Sequence, residues 1–260
     1  MRPPARRVVP GGRHGALDDE LTISAPAVNG GPADDYDNRA DPPSWFGRYR
    51  DPAMTPLEFK ALEWLDGFYE LEHLLATRQW AMKLRPQASP ELCLAALVHD
   101  AERYFPGGPT NTPSRFDDPS YLFAHSIRSA EFVDSFLAEI PGVDDEFRYQ
   151  VRCLVLRHEV GGGTEADVLQ AADSLSFLET LPWLTVEWVQ TGRYPVDMAM
   201  AKHHYMLTRM RPAEAMEYGL PLYEQAISQL KNAAAVPLDD RRQVASDFRL
   251  LLGLRGTNDV

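Results

Sequence analysis

The chain has 260 residues, 44% apolar and 25% charged, a formal net charge of −12 and two cysteines. That length supports one sizeable core and little more. The acidity disfavours a protein that coats DNA or RNA by neutralising phosphates, and Cys93 and Cys153, each in an apolar helical stretch, form no disulfide framework or thiolate metal site.

No run approaches 18 apolar residues, so no membrane span is expected. The N-terminus MRPPARRVVPGG is basic but lacks the apolar segment of a secretory signal, which makes the cytoplasm the default location. Residues 1 to about 52 are rich in Pro, Gly, Asp and Asn and read as a disordered tail without chemistry. From Thr55 the character changes. Thr55-Pro56-Leu57-Glu58 predicts a helix start, with a hydroxyl cap, Pro at the first position and an acidic first turn. Phe59, Leu62, Leu65 and Phe68 continue it as one apolar stripe.

His73 opens a second helix with Leu74, Trp80, Ala81 and Leu84, ending near Pro86. Ser89-Pro90-Glu91 caps a third, which carries Leu94, Leu97 and Val98 and delivers His99 and Asp100 at its C-terminal part. Residues 104–119 hold four prolines and two glycines and read as a long loop at the mouth of a site. Residues 120–140 form a fourth helix containing His125, and 144–158 a fifth ending on His158. Gly161-Gly162-Gly163 then breaks the chain, either as a helix terminator or as backbone able to approach a phosphate. Thr164-Glu165 starts a sixth helix, with Val168, Leu169, Ala172, Leu175 and Leu178 inward. Later helices are expected near 196–210, 212–230 and 239–252. With no strand alternation and no internal repeat, the expected fold is all-α. It comprises the tail 1–52 and a helical bundle 53–255, whose metal-binding core spans about 70–180 and whose C-terminal extension spans 181–255.

The chemistry-bearing residues are His73, the adjacent pair His99-Asp100, His125, His158 and Asp173. Imidazole and carboxylate are the usual ligands of first-row divalent metals when no thiolate is offered. Each of these residues lies on or beside an apolar helical run, where its burial is costly unless compensated. On a helix His99 and Asp100 diverge by roughly 100°, so the Asp can turn toward a second ion. Four imidazoles and two carboxylates are thus a set able to hold two metals. His73, His99 and Asp173 complete the first site, His125 and His158 complete the second, and Asp100 bridges them. Arg128 lies one turn beyond His125 on the same helix face and is a candidate substrate-binding residue reaching the same cavity. Lys202, His203, His204, Arg209 and Arg211 form a basic stretch that reads either as an anion-binding wall or as a solvated helix face. Tyr104 reads as a base-stacking or a packing residue.

His73, then His99-Asp100, then Asp173 resembles the signature of the HD-domain superfamily of metal-dependent phosphohydrolases, and His125 with His158 resembles its binuclear branch. The stretches LAALVHDAER, AHSIRSAEFV, LVLRHEVGG and VLQAADSLSFLE are locally similar to HD hydrolases that cleave dinucleoside polyphosphates symmetrically. The likeness covers about residues 70–180. It implies an all-helical HD bundle, two divalent metals (Fe, Mn or Co) and hydrolysis of a phosphate ester or anhydride of a small nucleotide-like substrate. Asp100 would then bridge the metals, and Arg103 would neutralise charge on the transferred phosphate. That subfamily usually carries a Thr where Glu159 stands and a Lys where Arg103 stands. The same ligand set also resembles that of HD-type di-iron oxygenases, and an HD fold that senses a nucleotide without catalysis is a further alternative.

Overall fold

The structure is a computed structural model that describes residues 46–49, 51–106 and 116–234. Among the described residues every regular element is helical. The α-helices are α1 (Phe46–Tyr49), α2 (Pro56–Trp64), α3 (Leu71–Leu84), α4 (Pro90–Val98), α5 (Pro119–Ala138), α6 (Asp145–Arg157), α7 (Thr164–Thr180), α8 (Pro182–Gln190), α9 (Val196–Thr208) and α10 (Ala213–Ala234). A 3₁₀ turn, Ala101–Arg103, follows α4. The all-α expectation holds. No helix among the described residues is long and apolar enough to cross a membrane.

The helix starts follow from local side-chain chemistry. The Thr55 hydroxyl accepts from Glu58 N–H (3.2 Å) while the Glu58 carboxylate accepts from Thr55 N–H (2.7 Å), a reciprocal capping box. Ser89, Asp118 and Asp144 cap α4, α5 and α6 in the same sense, each accepting a first-turn N–H. The Ser89 hydroxyl also donates to Glu165 on α7 (2.7 Å), fixing the start of α4 against the start of α7.

Helix α7 organises the bundle. Of its 17 residues only Thr164, Glu165, Asp167 and Glu179 are not buried, so it is the central helix rather than a one-faced surface helix. Leu169 and Ala172 join the core built by α2 to α6 with Leu62, Leu74, Leu97, Val133 and Val155. Ala171, Leu175 and Leu178 face a second core with Leu184 of α8 and Met206 and Leu207 of α9. Polar side chains from its middle, Gln170, Asp173, Ser174 and Ser176, are therefore carried into the interior.

Several boundaries differ from expectation. The stretch read as disordered tail includes α1, whose Tyr49 is buried, and Asp51, which accepts from Arg78 (2.7 Å). Helix α8 falls in a stretch where no helix is expected from the sequence, and its Pro182 stands at the first turn, where Pro is favoured. The helix expected at 239–252 lies outside the described residues. The glycine break acts as a terminator: Gly161 and Gly162 have φ of 66° and 100°. The Gly162 N–H donates to Asp167, which also pairs with Arg211. A Cβ on Gly161 would fall 2.3 Å from Asp167 Oδ1.

Arg78 joins the N-terminal segment to α3. Its guanidinium is 3% exposed and donates to Glu58 and Asp51, with Glu58 also 3% exposed. Removing one member of a buried ion pair strands the other. Arg78→Ala is therefore expected to cost about 3–5 kcal/mol, read as a lower urea midpoint. A loss below about 1 kcal/mol would reduce the network to the value of a surface pair.

Candidate metal centre

Five helices deliver the six expected ligands to one place. His73 comes from the first turn of α3, His99 from the C-cap of α4, His125 from α5, His158 from the C-cap of α6 and Asp173 from the middle of α7. Asp100 follows His99 directly, where the chain leaves α4 for the 3₁₀ turn. None of the six is more than 5% exposed. They fall into two groups of potential ligands, His73 with His99 and Asp173, and Asp100 with His125 and His158. Within each group one ligand atom per residue lies within 4.8 Å of the others.

Asp100 sits between them. Its Oδ2 is 3.9 Å from His73 Nε2 and 3.8 Å from His99 Nε2. Its Oδ1 is 2.8 Å from His125 Nε2 and 3.7 Å from His158 Nε2. Asp173 Oδ1 closes the first group at 3.4 Å from His73 Nε2 and 3.7 Å from His99 Nε2. One carboxylate thus offers one oxygen to each group.

The orientation of the rings is fixed from behind. His99 Nδ1 meets the Ala96 carbonyl at 3.0 Å and His158 Nδ1 the Val155 carbonyl at 2.7 Å. A carbonyl only accepts, so Nδ1 carries the hydrogen, and in the neutral ring Nε2 is left with a free lone pair. Those two Nε2 atoms are buried without a hydrogen-bond partner. The Ser176 hydroxyl donates to the His73 carbonyl (2.6 Å) and accepts from His73 Nδ1 (2.7 Å). Glu102 accepts from His125 Nδ1 at 2.9 Å. In all four rings Nδ1 is tethered and Nε2 converges on the carboxylates, the arrangement typical of metal-ligating histidines. A divalent metal fits this donor set, because it would satisfy the orphaned lone pairs that nothing else among the described residues reaches.

Neighbouring charges and burial shift the groups at this centre in opposite directions. Burial alone would raise the Asp100 carboxyl, yet Arg103 and His99 hold it well below the usual carboxylate range. Asp173 is likewise held low against its burial, chiefly by Arg209. For His125 burial favours the neutral ring, but the Asp100 and Glu102 carboxylates outweigh it and push the ring up to about 9. For His158 burial wins: Glu159 and Asp100, each 3.7 Å from Nε2, do not offset it, and the ring is taken down to about 4.

Arg209, read from the sequence as part of an anion-binding wall or a solvated helix face, is instead a buried partner of the centre's carboxylates. Its side chain is 5% exposed and donates to the second oxygen of Asp173 and to Glu159, with Nε on the Ser174 hydroxyl at 2.7 Å. It leaves Asp173 Oδ1 alone facing the histidines. Glu159, noted in the sequence only as a departure, lies with Oε1 3.7 Å from His158 Nε2. A signal for both existed: His158-Glu159 ends α6 as His99-Asp100 ends α4, and Arg209 lies seven residues after Lys202, on the same helix face. Ser174 and Ser176 had none, since their role depends on the packing around α7.

The remaining candidates separate. Arg103 and Lys202 line a cavity of about 190 Å³ that also takes in His73, Asp100, Glu159 and Asp173. The Lys202 ammonium lies over the rings of Phe177 (5.1 Å), Tyr205 (5.6 Å) and Phe116 (5.8 Å), and burial lowers it to about 8. His203 and His204 do not share that face. His203 is buried with Nε2 on Thr185 Oγ1 (2.8 Å), and His204 is exposed beside Tyr223. Arg128 stands behind the centre, donating to the Pro106 carbonyl (2.5 Å) with Nε 3.5 Å from Glu102. Tyr104 packs edge-on to Phe68 and Phe105 and donates to the Asp66 carbonyl (2.7 Å), the packing role.

No protein-family model, curated protein or solved structure matches the chain. What stands is a helical bundle with two buried His/Asp groups that could hold metal.

Groups behind metal ligands typically affect affinity by 10–100-fold. Arg209→Leu is expected to weaken metal retention by about that factor, measured by competition with a coloured chelator, and Arg209→Lys to restore only part of it. Retention equal to that of the unsubstituted chain would separate Arg209 from the centre.

Proposed function

We propose that this chain is a metal-dependent phosphohydrolase of the HD kind its motifs resemble, acting on a small phosphorylated substrate. The observation that carries the reading is Asp100, which offers one oxygen to each of two buried histidine groups on the wall of a cavity lined by Arg103 and Lys202. His73, His99 and Asp173 would hold one divalent metal and His125 and His158 the other, with Asp100 common to both. Metals bound there lower the pKa of water and draw charge from phosphoryl oxygens.

The chain's own residues supply the rest. Arg103 lines the cavity with Nε 3.4 Å from Asp100 Oδ2, which sets its guanidinium beside the carboxylate shared by the two groups, where an oxyanion would bind. Lys202 adds a second cation with no carboxylate within ion-pair distance among the described residues. Arg209 has spent its donors on Asp173, Glu159 and Ser174 and acts as a positioning residue. Glu159, held down at about 2 by Arg209 and His158 against its burial, accepts hydrogen bonds and has no proton to give.

Elemental analysis of protein purified without chelator, run beside a phosphate-release screen, tests the reading. Close to two equivalents of Fe, Mn or Co with phosphate release is the expected result. Asp100→Ala is expected to lose both metal and turnover. Arg103→Ala, compared at full metal loading, is expected to lower kcat by about 10²–10³, the usual effect of losing one oxyanion donor. Two irons with oxygen consumption and no phosphate release would replace hydrolysis with oxygenation. No metal after reconstitution would leave a binding module.

A further inference from the structure

Glu70 is an anomaly among the residues that line the cavity. It is the N-cap residue of α3, is 1% exposed, and lies three positions before His73. Neither of its carboxylate oxygens accepts a hydrogen bond. The nearest cation is Arg103, whose Nη1 is 3.8 Å from Glu70 Oε1, too far for a hydrogen bond. Arg103 leans instead toward Asp100, with Nε 3.4 Å from Oδ2. Glu70 is not in either group of potential metal ligands.

A carboxylate buried with both oxygens unused is costly, and such groups are rare unless a ligand or water completes them. Every other buried carboxylate of the site is completed: Asp100 by His125, Asp173 and Glu159 by Arg209, Glu102 by His125. Glu70 lines the cavity with acceptor capacity to spare, beside Tyr121 and beside Tyr69, whose hydroxyl is held toward it. An ionised carboxylate only accepts, so what completes it must donate. A phosphate cannot do this, but the organic part of a phosphate ester can.

We propose that Glu70 determines specificity by accepting hydrogen bonds from a hydroxyl or amino group on the substrate's organic part. This rests on the phosphohydrolase reading and narrows it. The substrate class becomes phosphate esters of polyols or amino alcohols: the phosphate lies against Arg103 and Lys202, and a donor one or two carbons away reaches Glu70. A bare alkyl ester of the same length leaves that carboxylate unfilled. Two free oxygens suit a vicinal diol or an ammonium better than a single hydroxyl.

The test compares matched esters on the metal-reconstituted full chain: glycerol 3-phosphate against propyl phosphate, and 2-aminoethyl phosphate against ethyl phosphate. The readout is kcat/KM where the ester is hydrolysed and calorimetric Kd where it is not. The expected result is a preference of about 10–100-fold for the donor-bearing member of at least one pair, the usual worth of a hydrogen bond to a charged group. Glu70→Gln is expected to reduce that preference about tenfold. Equal handling of both pairs by the unsubstituted chain overturns the proposal without any variant. So does a preference unchanged in Glu70→Gln, or an equal loss on both members of a pair, which would mean that Glu70 only positions Arg103. Calorimetric discrimination without phosphate release would overturn the hydrolase reading and keep Glu70 as the selecting residue. Phosphate release without discrimination would do the reverse.

Discussion

Burying the Asp100 carboxylate among four imidazoles is the constraint to which the surrounding bundle answers. Isolated charge in an apolar interior costs far more than one contact returns, so each buried polar group at this centre needs a partner, and most have one. Arg209 takes the outer oxygen of Asp173 and the Glu159 carboxylate. Glu102 takes His125 from behind, and Arg128 stands beyond Glu102. The exceptions here include the Nε2 atoms of His99 and His158, the Nε atoms of Arg103 and Arg128 and the carboxylate of Glu70.

The way His99 and His158 are presented uses a general property of helices. The last carbonyls of a helix lack an intrahelical partner. At the ends of α4 and α6 the C-cap histidine turns back and meets such a carbonyl three residues earlier, Ala96 and Val155 respectively. One contact therefore closes the helix, fixes the ring's tautomer and aims Nε2 inward. The acidic residue that follows each histidine, Asp100 or Glu159, leaves the helix at that point and enters the centre from the turn.

Much of this could be read from residue order, and the physical reasons for the rest are specific. The caps at Thr55, Ser89 and the region before Ser120 are local, depending on side chains and backbone a few residues apart, so the helix starts were legible. The six His and Asp positions were legible because ligand chemistry draws on few residue types. Arg209 was less so, because its role is defined by Asp173 and Glu159, 36 and 50 residues away. Glu70 is silent in sequence: a Glu before a helix reads as an ordinary exposed cap, and only packing reveals that it is 1% exposed. The stretch Lys202-His203-His204 read as one patch, but neighbours on a helix point in different directions, and the structure spreads them over a cavity wall, a core and the surface.

The Arg209 bridge also has a thermodynamic side. It runs from the end of α9 to Asp173 in the centre of α7, and α9 in turn packs against α10. Free-energy coupling between two events is reciprocal. Whatever Arg209 contributes to holding Asp173 in its ligating pose is returned, when a metal is bound, as tighter seating of α9 on α7. Occupancy of the centre and order in the C-terminal helices are then two readings of one equilibrium, and a partner that gripped α9 or α10 would change the metal affinity without touching a ligand.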